Sequence, residues 1–206
     1  MKKNVLAFLI HFLVQLNNLQ AQFINLEKSK LEPVNISMSI GRLMGKDVVK
    51  VIKDSSVKEF DEPTFIKVND INFKNGTIEV KVMSKLLKNA PEFARGFIGI
   101  AFRINDSNTK YESIYIRPVN ARVDDQVLRN HSIQYYSYPD YKFDRLRKDS
   151  LERYESYSDM EMNKWITMRI EVKGAQAKLF LDKNKQPLLI VNDLKLGENL
   201  SGAVGL

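Results

Sequence analysis

Between Arg95 and Tyr138 the chain alternates in a way that suits only a two-faced β-strand. Ile98, Ile100 and Phe102 fall on one parity, and Gly99, Ala101 and Arg103 fall on the other. A few residues on, Ile114 and Ile116 share one face, while Ser113, Tyr115 and Arg117 share the opposite one. Successive side chains point to opposite sides of a strand, so each segment offers an apolar face to a core and a polar face to something else. The linker from Asn105 to Lys110 (NDSNTK) has the Asn, Asp and Ser content of a turn between antiparallel neighbours. Paired in this way, the two strands put Arg103, Tyr115 and Arg117 on one polar face. Small Gly99 and Ala101 would leave room above the sheet, and the expectation is a groove floor.

The rest of the chain reads as further short strands. Ile36–Ile40 alternates, Val48–Ile52 is rich in β-branched residues, and Thr64–Val68 follows an acidic turn at Asp61-Glu62-Pro63. Asn75-Gly76 is a tight-turn signal that launches Ile78, Val80 and Val82 on one parity. Ser132–Tyr136 gives a third central strand, and Ile166, Met168, Ile170 and Val172 alternate after Trp165. Ala177–Leu181 and Leu188–Val191 complete the set, and Lys85–Phe93 offers one helical turn before it is broken at Pro91. Residues 139–163 mix aromatic and charged side chains with no clean period, as a functional or covering loop would. Many short strands, turn signals and almost no helix imply two antiparallel sheets packed face to face.

The N-terminus differs in kind. Lys2 and Lys3 precede an apolar run from Val5 to Leu16, then a polar stretch leading to Ala21, the order of a secretory signal peptide. The apolar run falls short of the roughly 20 residues a spanning helix needs. Residues 1–21 are therefore expected to be removed, leaving 22–206 as one domain in a secreted or periplasmic protein with no membrane segment. Cleavage lowers the formal charge from +7 to +5, since Lys2 and Lys3 leave. The remaining basic residues are interleaved with acids, which argues against nucleic acid as a partner. Cysteine is absent, so an exported chain of this kind must rely on a packed core without disulfides.

Taken together, NGTIEVKV from Asn75, RGFIGIAFR from Arg95, YESIYIRP from Tyr111, the W-x-x-M-R-I-x-V run from Trp165, PLLIVNDLK from Pro187 and the terminal GAVGL resemble a concanavalin A-like lectin/glucanase domain. More narrowly, they are similar to exported bacterial laminarinase-like domains and to the 3-keto-disaccharide hydrolase domain. The resemblance implies an all-β jelly-roll sandwich over roughly Ile36 to the end, with any carbohydrate site on the concave sheet. It leaves activity open, because such folds serve lectins, hydrolases and adhesion modules alike. The laminarinase-type E-x-D-x-x-E string is missing: Glu59-Phe60-Asp61 begins it, but Thr64 stands at its last acid.

Elimination narrows the chemistry. Of two histidines, His11 leaves with the leader and only His131 remains. A zinc site would need His131 with carboxylates alone, and neither a G-x-S-x-G elbow nor a Walker-type phosphate loop occurs. No cofactor is expected; oxygens near Asp106, or near Asp124 and Asp125, are the option for a structural calcium ion. If the domain were an enzyme acting on glycosidic bonds, His131 or Glu112 would serve as acid or base. Other carboxyls, Glu152, Glu155 and Asp159, lie scattered in the long loop. The better-supported constellation is for binding a glycan. Arg103, Tyr115 and Arg117 form its floor, Asn120 follows the strand, Arg129, Asn130, His131 and Gln134 supply a polar wall, and Tyr136 shares their parity. Arg offers a rigid fork of donors for hydroxyl pairs, and Tyr a flat apolar body with a polar tip. The 139–163 loop would be its lid. A scaffold or adhesion domain without a small-molecule site is the remaining reading.

In domains of this type the Gly202–Leu206 run enters a strand and a further aromatic-containing strand follows. The expectation here is a sheet one strand short, with an unpaired neighbour left beside that run. Residues 23–31, with Glu27, Lys28 and Lys30, alternate too poorly to fill the gap.

Overall fold

The computed structural model describes residues 22–25 and 30–206, so the proposed leader, residues 1–21, lies outside the described residues. In chain order the elements are β1 (Leu31–Val34), β2 (Ile36–Leu43), β3 (Lys46–Lys53), β4 (Phe65–Phe73), β5 (Gly76–Val82), β6 (Ile98–Ile104) and β7 (Tyr111–Ile116). A 3₁₀ turn (Pro118–Arg122), α1 (Gln126–Asn130), β8 (Ile133–Tyr138), α2 (Phe143–Asp149) and β9 (Glu155–Ser156) follow. The chain then runs through β10 (Ile166–Lys173), β11 (Gln176–Leu181), β12 (Leu189–Val191) and β13 (Gly202–Gly205). A seven-stranded sheet in the order β1-β4-β13-β6-β7-β8-β9 packs with a four-stranded sheet, β12-β11-β10-β5, and β2-β3 forms a separate hairpin. Neighbours are antiparallel, giving the all-β sandwich that the alternation implied. No helix among the described residues is long and apolar enough to cross a membrane.

The strands form where period-two patterning lets one face be buried. In β10, Ile166, Met168, Ile170 and Val172 are buried, while Thr167, Arg169 and Glu171 between them are only half-buried. Opposite them, Ile100, Ile114 and Ile116 have no exposed surface. Burying a side chain of this size is worth about 1.5–3 kcal/mol, so these rows supply the main drive to close the sandwich. Glu112 and Tyr135, on the same parity as Ile114, reach the loop after β12, where Leu196 N–H donates to Glu112 and Lys195 N–H to the Tyr135 hydroxyl. That parity is therefore the inner one.

The outer face of the large sheet was expected to be open, and it is not. All six residues of β7 are buried. Tyr111 stacks on Tyr138 at 5.2 Å and meets Tyr136 edge-on at 5.8 Å, while Tyr115 meets Tyr136 and Phe97. The segment Phe60–Pro63 and the start of α2 roof this floor. Phe143 N–H donates to Asp61 Oδ2 at 2.9 Å, Tyr138 OH to Glu62 at 3.0 Å, and Lys142 Nζ pairs with Glu62 at 2.5 Å. Gly99 does not leave an open space above the sheet, because the Tyr115 side chain occupies it. A Cβ at Gly99 would come within 2.5 Å of Tyr115 Cβ and 2.6 Å of the Ile114 carbonyl oxygen. Gly99→Val is therefore expected to cost roughly 1–3 kcal/mol by overpacking. A urea melt showing no loss would mean that Tyr115 moves away freely.

Two further expectations change. Lys85–Phe93 forms no helix; it makes turns instead, with Ala90 N–H on the Leu87 carbonyl and Ala94 N–H on the Pro91 carbonyl. The unpaired neighbour expected beside Gly202–Leu206 is corrected as well. β13 lies inside the large sheet, with Val204 opposite Val68 of β4 and Ala203 opposite Ile104 of β6. Residues 23–25 form no strand, 26–29 lie outside the described residues, and Leu31 opens β1 at the sheet edge.

Candidate functional site

Asp125 sets up the local structure by capping α1, its carboxylate accepting from Leu128 N–H at 3.0 Å. The helix is short and ends at His131, whose N–H bonds back to Val127 and Leu128 carbonyls before the chain enters β8. On the far edge, β9 places Glu155 opposite Gln134 and Ser156 opposite Ile133. Glu155 therefore stands on the outer face with Gln134, at the mouth of the roofed floor. Between the end of α1 and β9 opens a cleft of about 240 Å³, lined by Asn130, His131, Glu152, Glu155, Ser156 and Tyr157.

Glu155 organises the base of this cleft. Its side chain is 3% exposed. Both carboxylate oxygens accept from Arg147 Nε at 2.9 Å, and Arg147 Nη2 adds a further bond. Arg117 approaches to 3.6 Å and His131 Nε2 to 3.5 Å. Arg117 is itself buried: it donates to the His131 carbonyl at 2.8 Å, to Tyr115 OH at 2.7 Å and to Gln134 Oε1 at 3.4 Å. Its guanidinium lies between the Phe97 and Phe143 rings, at 5.9 and 5.7 Å, and 4.9 Å from that of Tyr115. Burial lowers the His131 pKa, and the Glu155 carboxylate opposes that shift.

The outer wall of the cleft carries the groups still available to a ligand. Arg129 donates to Tyr157 OH at 2.9 Å and lies 5.1 Å from that ring, which is 37% exposed. Asn130 Oδ1 accepts from Gln126 at 2.7 Å, and its amide N–H groups have no partner among the described residues. Glu152 is exposed, held outward by a left-handed backbone (φ 65°) after α2.

The residues singled out in the sequence thus divide. Arg117, Gln134, His131, Asn130 and Arg129 come together around Glu155 and the cleft, and Tyr115 and Tyr136 lie beneath the roof. Tyr136 OH shares a hydrogen bond with Tyr111 OH at 3.1 Å. Asn120 is buried in the 3₁₀ turn, away from the cleft lining, with no partner for its Oδ1 among the described residues. The placement of Arg103 with Tyr115 and Arg117 is corrected. Arg103 takes φ 56°, which breaks the alternation, and its buried guanidinium donates to the carbonyls of Lys74, Gly174 and Gly197. Glu112 and His131 do not meet either. Glu112 is on the inner face, bonded to Tyr135 OH at 2.7 Å, and burial raises its pKa. It therefore cannot share one glycosidic bond with Glu155 on the outer face. Among the described residues no three His, Asp or Glu side chains gather as a metal would require.

Glu155, Arg147 and Asp61 were harder to read. The sequence offered Glu155 only as one of several loop acids, and Asp61 only as a turn residue and as part of the incomplete E-x-D-x-x-E string. Asp61 takes φ 52° and turns its carboxyl onto Phe143 N–H and Tyr115 OH, and burial raises its pKa despite those bonds and Arg117 nearby. A carboxyl that holds its proton more tightly when folded costs stability as pH rises above its unfolded value of about 3.9. Asp61→Asn is expected to remove that loss, flattening stability against pH through the raised pKa. Parallel pH profiles of the two proteins would contradict this.

No protein-family model and no curated protein matches the chain. Among solved structures, the carbohydrate-binding module CBM66 from Bacillus subtilis superposes with a TM-score of 0.50, covering 84% of this chain and 88% of that chain at 12% identity. The likeness is one of fold. At that identity it carries no residue across, so the site rests on the geometry given above.

Proposed function

We infer that this is a carbohydrate-binding β-sandwich domain whose glycan site is the cleft between α1 and β9. The observation that carries the reading is the cleft itself. A partly exposed aromatic ring, Tyr157, stands beside the amide of Asn130, whose oxygen accepts from Gln126, and an exposed carboxylate, Glu152, over a base fixed by Glu155. Sugars need this pairing of a flat apolar surface with directed hydrogen-bonding groups. The fold shared with a carbohydrate-binding module supports it. The cleft is smaller than the roughly 300–1,000 Å³ of sites for drug-sized ligands, which fits one sugar unit better than a long segment. Export is part of the reading, supported by the order of charged, apolar and polar residues from Lys2 to Ala21.

A glycan array probed with the protein, followed by titration calorimetry on any ligand found, tests this. Tyr157→Ala should weaken binding by about 1 kcal/mol, and Asn130→Ala by a similar amount, with melting temperatures near that of the parent. Failure to bind any glycan, or binding that neither substitution alters, would remove the cleft from the function.

A further inference from the structure

Beyond Phe143, whose ring lies 5.7 Å from the Arg117 guanidinium, two loops meet through their aromatic tips. Phe60, in the loop after β3, touches Phe93 at 5.6 Å and Phe143 at 5.9 Å. Phe93 belongs to the segment between β5 and β6, tied at its base where Ser84 Oγ donates to the Gly96 carbonyl at 2.5 Å and Val119 N–H to the Arg95 carbonyl. The residues beyond that base leave their apolar side chains in solvent. Leu86, Leu87, Phe60 and Phe93 are 46, 47, 47 and 54% exposed. A monomer has little reason to project large apolar groups from loop tips unless they meet something.

The surroundings say what they meet. The tips are led by large apolar side chains, and two of the four are aliphatic, which offer a sugar ring no flat face. The projecting loop carries Lys85, Lys88 and Arg95 against Glu92. On the Phe60 loop, Asp61 and Glu62 are turned inward onto Phe143 N–H, Lys142 and Tyr138. Exposed Asp54 accepts from Ser56 N–H, and exposed Glu59 stands beside exposed Lys58. Exposed apolar tips flanked by Lys and Arg suit the surface of an anionic bilayer, where rings and leucines enter the acyl boundary and ammonium groups stay at the headgroups.

We propose that the Phe60 and Leu86–Phe93 loops form a docking tip for an anionic lipid surface, holding the domain against a membrane. This is independent of the glycan reading. The test uses the full chain with Phe93→Trp, which places an indole at the tip besides native Trp165, and vesicles of brominated phosphatidylglycerol in phosphatidylcholine. The new indole should shift to the blue and be quenched, while the parent, with Trp165 alone, is not. Adding Lys85→Glu and Lys88→Glu should weaken partition about tenfold, and raised salt should do the same. The local reporter separates this contact from any vesicle binding by the N-terminal apolar run. An unquenched indole, or equal quenching after charge reversal, overturns the proposal. A blue shift that follows protein concentration without vesicles also overturns it, in favour of a second copy as the partner. If Phe93→Trp misfolds by circular dichroism, Leu87→Trp gives the same readout.

Discussion

Replacing Arg103 with alanine is expected to remove about 3 kcal/mol of stability, because three part-buried backbone carbonyls lose one fully buried donor together. The guanidinium reaches Lys74 O at 2.8–2.9 Å, Gly197 O at 2.8 Å and Gly174 O at 2.7 Å. It thus ties the β4–β5 turn, the β10–β11 turn and the loop before β13 to one point. For a domain of this size each kcal/mol moves the melting temperature by roughly 2–4 °C. Arg103→Lys should recover only part of the loss, since one ammonium cannot reproduce a planar fork of donors. Glycan binding by surviving folded protein should be unchanged. A melt within about 1 kcal/mol of the parent, or a selective loss of binding, would return Arg103 to the ligand site.

The second large effect is expected at Glu155. Glu155→Gln leaves the buried Arg117 guanidinium without its carboxylate and takes from Arg147 the negative charge and one of two acceptor oxygens. Breaking a buried pair by removing one partner costs about 3–5 kcal/mol, most of it the uncompensated charge that remains. The cost should fall when Arg147→Gln accompanies the change, and it should fall further with Arg117→Met. Additive losses across these variants would mean that the cluster is not coupled. Its position gives the substitution a second readout. Glu155 is both the anchor of His131 and the base of the cleft, so glycan affinity should fall along with stability, unlike the Arg103 case.

The contrast between these two arginines marks what the sequence could and could not say. Alternation placed β6, β7 and β8 correctly, because one face of each had to be apolar. It failed at Arg103 because a single left-handed residue resets the parity, and nothing in FRIND announces one. The polar face of β7 was legible as a face, but not its roof. The roof depends on Asp61 and Glu62 meeting Lys142 and Phe143, some 80 residues apart, and no local pattern encodes that pairing. Likewise α2, in Phe143–Asp149, shows a single buried residue, Leu146, too little to give a helical period. Asn130, His131 and Arg129 stood out by chemical type alone. The partner of His131, Glu155, became visible only when β9 brought it opposite Gln134.

The position of β13 has a consequence for how the domain is made. β1 and β4 lie on one side of it and β6–β9 on the other, so the two halves of the large sheet join through its few residues. On the ribosome the other strands of the described residues emerge before Gly202–Gly205. Until then β4 and β6 each keep an open row of backbone donors and acceptors on the edges that β13 will later pair. Vectorial synthesis therefore creates a long interval in which the nascent sheet is split, and in which a strand from elsewhere competes for the slot. A holding factor that binds extended apolar segments would act during that interval. The folding rate should be set by insertion of β13 between β4 and β6 rather than by formation of the local hairpins.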